Sequence, residues 1–328
     1  MQRGGGVITK ADLAAYRAKW RTPIEHTYRG HKVIGMPPPS SGGLTVAMIA
    51  HILEGYDLAR MPWHSPAELH LVFEAMRRAF VARNEKLGDP DFVKNPVELL
   101  MSADWAAQQR ATIKADKATP TAEIAPPPGS VGGAGPHTTH FSVVDEKGNA
   151  VALTTTINLF YGSGVTVTGA GFLLNDEMDD FATIPGTPNI FGLVMGEVNS
   201  VAPGKRMLSS MSPTIVLDDK GHPELVLGAA GGPTIITGVF WQLSNVIDHG
   251  LSITAATNAP RFHEQGLPDQ VMMEKDGITE ADKKALEVMG YTFKERGHIA
   301  DAPAIGFRSN LWIGAAEPRR KGALAAGY

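Results

Sequence analysis

Residues 138–157, TTHFSVVDEKGNAVALTTTI, decide how this chain folds. β-branched and aromatic residues fill 139–145 and 150–157, so both runs are predicted to be strands. The turn between them, 146–149, contains a Gly-Asn pair, which favours a hairpin. The segment before Thr138 is rich in proline and glycine and has no strand or helix pattern. Thr138 therefore places a hydroxyl where an irregular segment becomes a sheet.

The composition is that of a globular protein and argues against several classes of function. Of the 328 residues, 43% are hydrophobic and 20% are charged, which is enough apolar material for a large core. The net charge is −4, and we expect no nucleic-acid partner because such proteins usually carry a basic patch. The chain has no cysteine, which excludes disulfides, thiolate metal sites and a cysteine nucleophile.

Neither a membrane span nor a signal peptide is predicted. No apolar run reaches the roughly 18 residues that a transmembrane helix requires. The first nine residues lack the hydrophobic region of a signal peptide. They read instead as a glycine-rich turn that leads directly into a helix cap.

Capping residues and apolar spacing predict helices and strands on both sides of the hairpin. Thr9 is expected to cap a helix with an apolar edge at Leu13, Tyr16 and Trp20, and Pro23 is expected to end it. The other predicted elements are strands at 24–28, 32–36, 214–217, 224–227, 304–307 and 311–314, and helices that begin near Leu44, Ser65, Asn95, Ser102, Ile235, Ile253 and Thr279.

Two further segments are predicted to lack regular structure. Residues 114–136 consist mainly of Ala, Pro, Thr and Gly and are interpreted as a mobile linker. Residues 185–192 contain two prolines and two glycines and are interpreted as a loop long enough to act as a lid.

Thr138 is a candidate nucleophile. A hydroxyl needs an adjacent base, and an N-terminal threonine supplies its own, since an α-amine titrates at about 7.7–8.0. Before that amine exists, the same hydroxyl can attack the preceding carbonyl, that of His137, and leave Thr138 as a new chain terminus. Strand propensity alone also explains a threonine here, so the residue type does not decide between the two interpretations.

Other polar groups could serve such a nucleophile, although each also has a plain structural explanation. An acidic run could bind an ammonium group or form a solvated turn, and paired serines could bind a carboxylate or cap an element. Glycine turns can present backbone N–H groups to an oxyanion. The candidates are Thr156 and Asn158 after the second strand, Glu177 and Asp180 in the acidic run, Ser209 and Ser210, and Gly231 and Gly232.

No metal and no cofactor is predicted. His137 and His140 would lie on opposite faces of the predicted strand, so their spacing does not suit a zinc site. The glycine turns match neither a Walker nor a Rossmann spacing, which argues against a nucleotide cofactor.

The order of these motifs along the chain is more specific than any one motif. The residues that carry it are 6–16, 36–43, 87–92, 138–145, 148–152, 156–158, 175–181, 206–214, 231–232 and 258–263. In this order they closely resemble the γ-glutamyltranspeptidase family, over essentially the whole chain.

The resemblance implies the fold and the organisation of the chain. We expect an α+β protein, a four-layer αββα sandwich of the N-terminal-nucleophile hydrolase type. Residues 1–137 are similar to the C-terminal half of the large subunit, ending in a flexible linker, and 138–328 are similar to the small, catalytic subunit. Self-cleavage between His137 and Thr138 would give two subunits that form one composite domain. Bacterial family members are commonly periplasmic or secreted, which is the only indication of location.

The resemblance also implies the activity. A γ-glutamyltransferase or glutathione hydrolase would take a γ-glutamyl group from glutathione or a similar amide, hold it as an ester on Thr138, and pass it to water, an amino acid or a peptide. The roles it implies are support of the nucleophile by Thr156, binding of the substrate α-ammonium by Asn158, Glu177 and Asp180, binding of the α-carboxylate by Ser209 and Ser210, and an oxyanion hole at Gly231 and Gly232.

Two features depart from the family pattern. The N-terminal half of the large subunit, with an arginine that pairs with the substrate carboxylate, has no counterpart in this sequence. Phe191 stands in the predicted lid where some members have tyrosine. The alternatives are therefore a truncated, non-catalytic homologue, a fragment that binds γ-glutamyl or amino-acid ligands, and, for the substrate, an amidohydrolase similar to the cephalosporin or glutaryl acylases.

Overall fold

A computed structural model describes residue 1, residues 4–124 and residues 138–327. Its helices are α1 (Lys10–Ala15), α2 (Gly42–Leu53), α3 (Pro66–Lys86), α4 (Val97–Leu100), α5 (Ala103–Ala111), α6 (Thr234–Ile247), α7 (Ile253–Asn258) and α8 (Glu280–Val288). Its strands are β1 (Ile24–Tyr28), β2 (His31–Gly35), β3 (Thr138–Val144), β4 (Ala150–Thr156), β5 (Thr214–Leu217), β6 (Pro223–Leu227), β7 (Phe262–His263), β8 (Val271–Glu274), β9 (Phe293–Arg296), β10 (Ala304–Arg308) and β11 (Leu311–Ala315).

The largest sheet combines both halves of the chain. Its six strands follow the order β1-β2-β5-β6-β10-β11, and every neighbouring pair is antiparallel. The pairing of β2 with β5 runs from Lys32 opposite Leu217 to Gly35 opposite Thr214. Residues on the two sides of the predicted cleavage site therefore share one hydrogen-bonded sheet.

The hairpin that the sequence predicts is present. β3 and β4 pair in register from Thr138 opposite Thr156 to Val144 opposite Ala150. At the turn, Asp145 Oδ1 accepts from the backbone N–H groups of Lys147 and Asn149, each at 2.9 Å. Gly148 has a φ of 80°, a conformation that glycine adopts at little cost. This turn fixes which residues of the two strands face each other.

The hairpin packs against one face of the six-stranded sheet and helices pack against the other. Leu225 and Leu227 of β6 join the helix-covered core, whereas Val226 faces the opposite way. On that opposite side, the His140 ring lies so close to Gly228 that a Cβ at Gly228 would overlap it. The arrangement confirms the α+β class, and the chain supplies a helical layer, a six-stranded sheet and a hairpin from a second β layer.

The outer face of the hairpin is open in the described part of the chain. Its side chains alternate between the sheet and solvent, as the strand period requires. The outward apolar residues are 37–51% exposed, and they are Phe141, Val143, Val151 and Leu153.

Helix α3 is buried along nearly its whole length. Ser65 caps it by accepting from the N–H of Glu68, and Pro66 occupies its first turn, as the sequence predicts. It packs against α2, α5 and α8, so its charged side chains are enclosed together with its apolar ones. The buried charged residues of this helix are Glu68, Glu74, Arg77, Arg78 and Arg83.

Two sequence expectations are wrong in detail. Helix α1 has the predicted Thr9 cap but ends at Ala15, and Leu13, Tyr16 and Trp20 are at least 70% exposed because the helix buries none of its residues. The predicted linker does not begin at residue 114. Ala118 and Thr121 are buried, and the Ala118 N–H donates to Met289 O at 2.7 Å. Residues 125–136 of that segment lie outside the described residues.

A smaller sheet, β7-β8-β9, completes the described strands, with β8 and β9 parallel. Within the described ranges, no helix is both long and apolar enough to cross a membrane.

Candidate active site

Thr138 and Thr156 meet at the open end of the hairpin. The Thr138 hydroxyl donates to Thr156 Oγ1 at 3.2 Å, because the two residues lie directly opposite each other in the ladder. Thr156 Oγ1 also accepts from the backbone N–H of Asn158 at 2.8 Å. Asn158 has a φ of 71°, a left-handed conformation that asparagine tolerates better than most residues, and it turns the chain away from β4. The geometry orients the Thr138 hydroxyl.

Two carboxylates form one wall of the adjacent pocket, which we call the acidic wall (Glu177 and Asp180). Both lie in a 3-10 turn, Glu177–Asp180. Burial raises the pKa of Glu177, while hydrogen bonds to Asp180 and Thr156 oppose the rise. Burial, and then the charge of Glu177, raise the pKa of Asp180 well above its ordinary value, and Arg83 opposes this. A cation placed between these groups would favour their ionised forms.

Two serines form a second wall of the pocket, the serine wall (Ser209 and Ser210). Ser209 Oγ accepts from the Met211 N–H at 3.1 Å. Ser210 Oγ accepts from Arg83 Nη2, also at 3.1 Å. A hydroxyl oxygen held as an acceptor can direct its own hydrogen into the pocket, so this wall is suited to an anionic group.

The glycine turn before α6 closes a third side of the pocket. Gly231 has a φ of 151° and Gly232 a φ of 59°, and a side chain at Gly231 would collide with Thr234 and Ala300. Thr234 Oγ1 donates to Gly231 O at 2.7 Å, which holds the turn at the start of the helix. The positive end of the α6 dipole lies here and favours a developing negative charge.

The structure brings most of the predicted site residues to one pocket. Gly231 is adjacent but does not line it, and His137 lies outside the described residues. The predicted residues that line the pocket are Thr138, Thr156, Asn158, Glu177, Asp180, Ser209, Ser210 and Gly232, and they are joined by Phe191, Leu193, Met211, Pro233 and Ile235.

Arg83 is a site residue that the sequence analysis missed. It lies on α3, is fully buried, and donates to Ser210 of the serine wall. In sequence it belongs to a polar run near the end of α3, which is typical of a solvent-facing helix end. A signal was available: Arg83 is seven residues after Met76 and three after Phe80, so helical spacing places it on the buried stripe.

Comparison with known proteins decides the family. Residues 1–327 match the family described as gamma-glutamyltranspeptidase. The chain belongs to the γ-glutamyltranspeptidase family. It is 45% identical to a glutathione hydrolase proenzyme of Pseudomonas sp. (strain A14) and 46% identical to one of Escherichia coli (strain K12), in each case over 100% of this chain. The chain spans only 58% and 56% of the length of these two γ-glutamyltranspeptidase relatives.

A solved structure supports the fold over the full length. The cephalosporin acylase from Bacillus halodurans superposes with a TM-score of 0.82 at 25% identity, covering 100% of this chain and 56% of that chain. The N-terminal-nucleophile hydrolase fold expected from the resemblance is therefore confirmed for this γ-glutamyltranspeptidase family member. The roles assigned to individual site residues remain predictions.

Proposed function

We propose that this chain is the catalytic part of a γ-glutamyltransferase or glutathione hydrolase. The observation that carries the proposal is the hydrogen bond of 3.2 Å between the Thr138 and Thr156 hydroxyls, at a pocket with carboxylates on one wall and serines on the other. The α-amino-acid head of a γ-glutamyl group carries one ammonium and one carboxylate, and these walls complement the two charges.

Self-cleavage is proposed as the first step. The Thr138 hydroxyl attacks the carbonyl carbon of His137, the peptide C–N bond breaks, and the freed nitrogen takes up a proton. The resulting ester is hydrolysed by water, which leaves a carboxylate on His137 and a free α-amine on Thr138. The two pieces remain together because β2 and β5 are hydrogen-bonded across the cut.

Transfer of the γ-glutamyl group follows the same chemistry. The α-amine of Thr138 accepts the hydroxyl proton as Oγ1 attacks the γ-carbonyl carbon of the substrate, and the proton passes to the departing amine as the C–N bond breaks. Water, an amino acid or a peptide then attacks the γ-glutamyl ester and releases Thr138. Backbone N–H groups of the Gly231-Gly232 turn are proposed to stabilise the oxyanion in both steps.

The acidic wall favours a γ-glutamyl over a glutaryl substrate. A glutaryl group, as used by an acylase, lacks the α-ammonium, so binding it would leave the two buried carboxylates beside each other without a cation from the ligand. A γ-glutamyl group brings that cation. The acylase alternative therefore predicts that the protein cleaves glutaryl anilides at least as well as γ-glutamyl anilides.

Intact mass spectrometry of the parent and a Thr138→Ala variant tests the proposal. We expect two fragments that meet between residues 137 and 138 in the parent and one uncut mass in the variant. The processed parent is then assayed with γ-glutamyl and glutaryl anilides, and we expect turnover of the γ-glutamyl compound to be higher.

The matched control is Thr139→Ala, because Thr139 is the neighbouring threonine of β3 but points away from the sheet. We expect this variant to cleave and to turn over substrate as the parent does. An uncut parent would support the truncated, non-catalytic alternative. Cleavage in Thr138→Ala would show that another residue is the nucleophile.

A further inference from the structure

We propose that Arg83 is a positioning residue that makes the pocket selective for a substrate α-carboxylate, acting through Ser210 rather than by direct contact. The inference rests on the proposed function, because it assigns the serine wall to that carboxylate. The proposal gives a role to the buried guanidinium of Arg83, which was not among the predicted site residues.

Arg83 is built into the structure from several sides. It is 0% exposed, and its Nη2 donates to Ser210 Oγ at 3.1 Å. Its Nε donates to Ser41 Oγ at 2.9 Å, and its Nη1 donates to Asn84 Oδ1 at 2.8 Å. The guanidinium is therefore held in one orientation, with one edge directed at the serine wall.

All of these direct partners are neutral. In the described part of the chain, no carboxylate lies within ion-pair distance of Arg83, in contrast to Arg78, which is paired with Glu74. Burial lowers the pKa of Arg83 to about 10, and the charge of Asp180 opposes the fall. A buried guanidinium without a directly bound counterion is costly, and such a group is more favourable when an anion approaches.

Arg83 also reaches the second serine through Ser41. Ser41 Oγ accepts from Arg83 and donates to Ser209 O at 2.8 Å, and the Ser41 N–H donates to the same carbonyl at 2.8 Å. Ser41 belongs to residues 36–43, a motif that the sequence analysis used only for the resemblance. This motif therefore joins the cation to the backbone of Ser209, while Arg83 contacts the side chain of Ser210 directly.

The arrangement favours binding of an anion beside Ser210. Because Ser210 Oγ accepts from Arg83, its hydrogen can donate to a carboxylate in the pocket, which would then lie one hydroxyl away from the guanidinium. The Arg83 charge strengthens that hydrogen bond through a site of low polarity. A ligand with an ammonium but no carboxylate in this position gains nothing from Arg83.

Binding of L-glutamate and of 4-aminobutyrate to the purified protein, measured by titration calorimetry, tests the inference. The two ligands share the amine and the γ-carboxylate, and only L-glutamate has the α-carboxylate. In Arg83→Met we expect the Kd for L-glutamate to rise about 10- to 100-fold. The ratio of the Kd for 4-aminobutyrate to the Kd for L-glutamate should then fall by a similar factor. In Arg83→Lys, which keeps the charge but not the fork of donors, we expect an intermediate ratio.

Arg78→Met is the matched control. Arg78 is also buried on α3, but it donates to Glu74, Thr112 and Thr119, away from the pocket. We expect this variant to lose stability without a change in the Kd ratio. An unchanged ratio in Arg83→Met, or an equal change in both Met variants, would overturn the inference and leave the proposed function intact. A parent protein that binds neither ligand and cleaves no γ-glutamyl anilide would overturn both.

Discussion

The acidic wall and the serine wall line the same pocket, but they are stabilised in opposite ways. On the acidic wall, two carboxylates lie side by side, and Glu177 Oε1 is buried without a hydrogen-bond partner. On the serine wall, the side-chain oxygens have donors, and the backbone is fastened to residues 36–43. The acidic wall can therefore gain from a cation that a ligand supplies, whereas the serine side chains already have hydrogen-bond donors in the protein.

This difference indicates that the ammonium and the carboxylate of a ligand would contribute to the binding free energy in different ways. The ammonium end relieves an unfavourable interaction that exists in the empty protein, so its binding is coupled to the protonation of Glu177 and Asp180. The carboxylate end meets a rigid wall whose donors are in place before the ligand arrives, which reduces the cost of ordering. Changes on the two walls should therefore affect stability with opposite signs.

The largest effect is expected when the acidic wall loses a charge. Asp180→Asn removes the proposed partner of the ligand ammonium, and we expect the affinity for L-glutamate to fall about 100-fold, on the scale of about 3 kcal/mol for a buried charged partner. Titration calorimetry measures the change. Asp179→Asn, on the same turn but outside the pocket lining, serves as the control, and an equal loss in both variants would contradict the assignment of Asp180.

The same substitution should flatten the pH dependence of stability. The pKa of Asp180 is raised in the folded protein by burial and by Glu177, so the folded state binds more protons than the unfolded state. Stability of the parent should therefore fall as the pH rises from about 4 through the raised pKa. Urea unfolding at several pH values should show this fall in the parent and a smaller one in Asp180→Asn.

A control for that slope lies on a surface turn. The Asp218 carboxylate accepts from the backbone N–H of His222, which holds its pKa below the usual value. Its contribution has the opposite sign, because stability rises with pH above the lowered pKa. If Asp218→Asn and Asp180→Asn changed the slope in the same direction, the account of the acidic wall would be wrong.

The next largest effect is expected on stability, at the contact between residues 36–43 and the segment that carries the serine wall. A Cβ on Gly42 would overlap Met211 O and Ser212 Oγ, so Gly42→Ala should separate residues 36–43 from the serine wall. We expect a loss of about 1–3 kcal/mol in the free energy of unfolding, typical of overpacking, despite the better helix propensity of alanine. Gly297→Ala, which meets open space, is the control in the same urea titration.

The smallest effect concerns Phe191, in the loop that the sequence predicts to be a lid. Phe191 lines the pocket together with Asn158 but cannot hydrogen-bond to it. In Phe191→Tyr we expect the KM for glutathione to fall by up to about fivefold, on the scale of about 1 kcal/mol for one added hydrogen bond. Steady-state kinetics measure it, and an unchanged KM would indicate that the loop does not close over Asn158.

The sequence predicted local structure well where the cause is local. The hairpin, the Ser65 cap and the Thr9 cap follow from neighbouring residues, and the structure contains all three. The resemblance supplied the pocket residues, because their order along the chain is specific even though each is ordinary alone.

The missed features depend on contacts between distant segments. Arg83 is buried because Ser41, Met195 and Ser210 surround it, and these residues come from three separate parts of the chain. The apolar spacing of Leu13, Tyr16 and Trp20 resembles a core stripe, but α1 buries none of its residues, and Tyr16 contacts the Arg206 guanidinium at the surface. Conversely, Thr121 looks like part of a linker and is fastened to Gly266 O at 2.6 Å. Propensity and spacing carry no information about such partners.

The register of the hairpin, which is fixed at the turn 145–149, determines where the Thr138 hydroxyl lies. Because side chains alternate along a strand, a shift of β3 by one residue would turn Thr138 toward the open face and bring Thr139 beside Thr156. The hydrogen bonds of Asp145 at the turn thus help to fix the position of the Thr138 hydroxyl, seven residues away along β3. A tag inserted at this turn should leave Asp145 and Asn149 in place, since a slip in register would displace the Thr138 hydroxyl on which the proposed function depends.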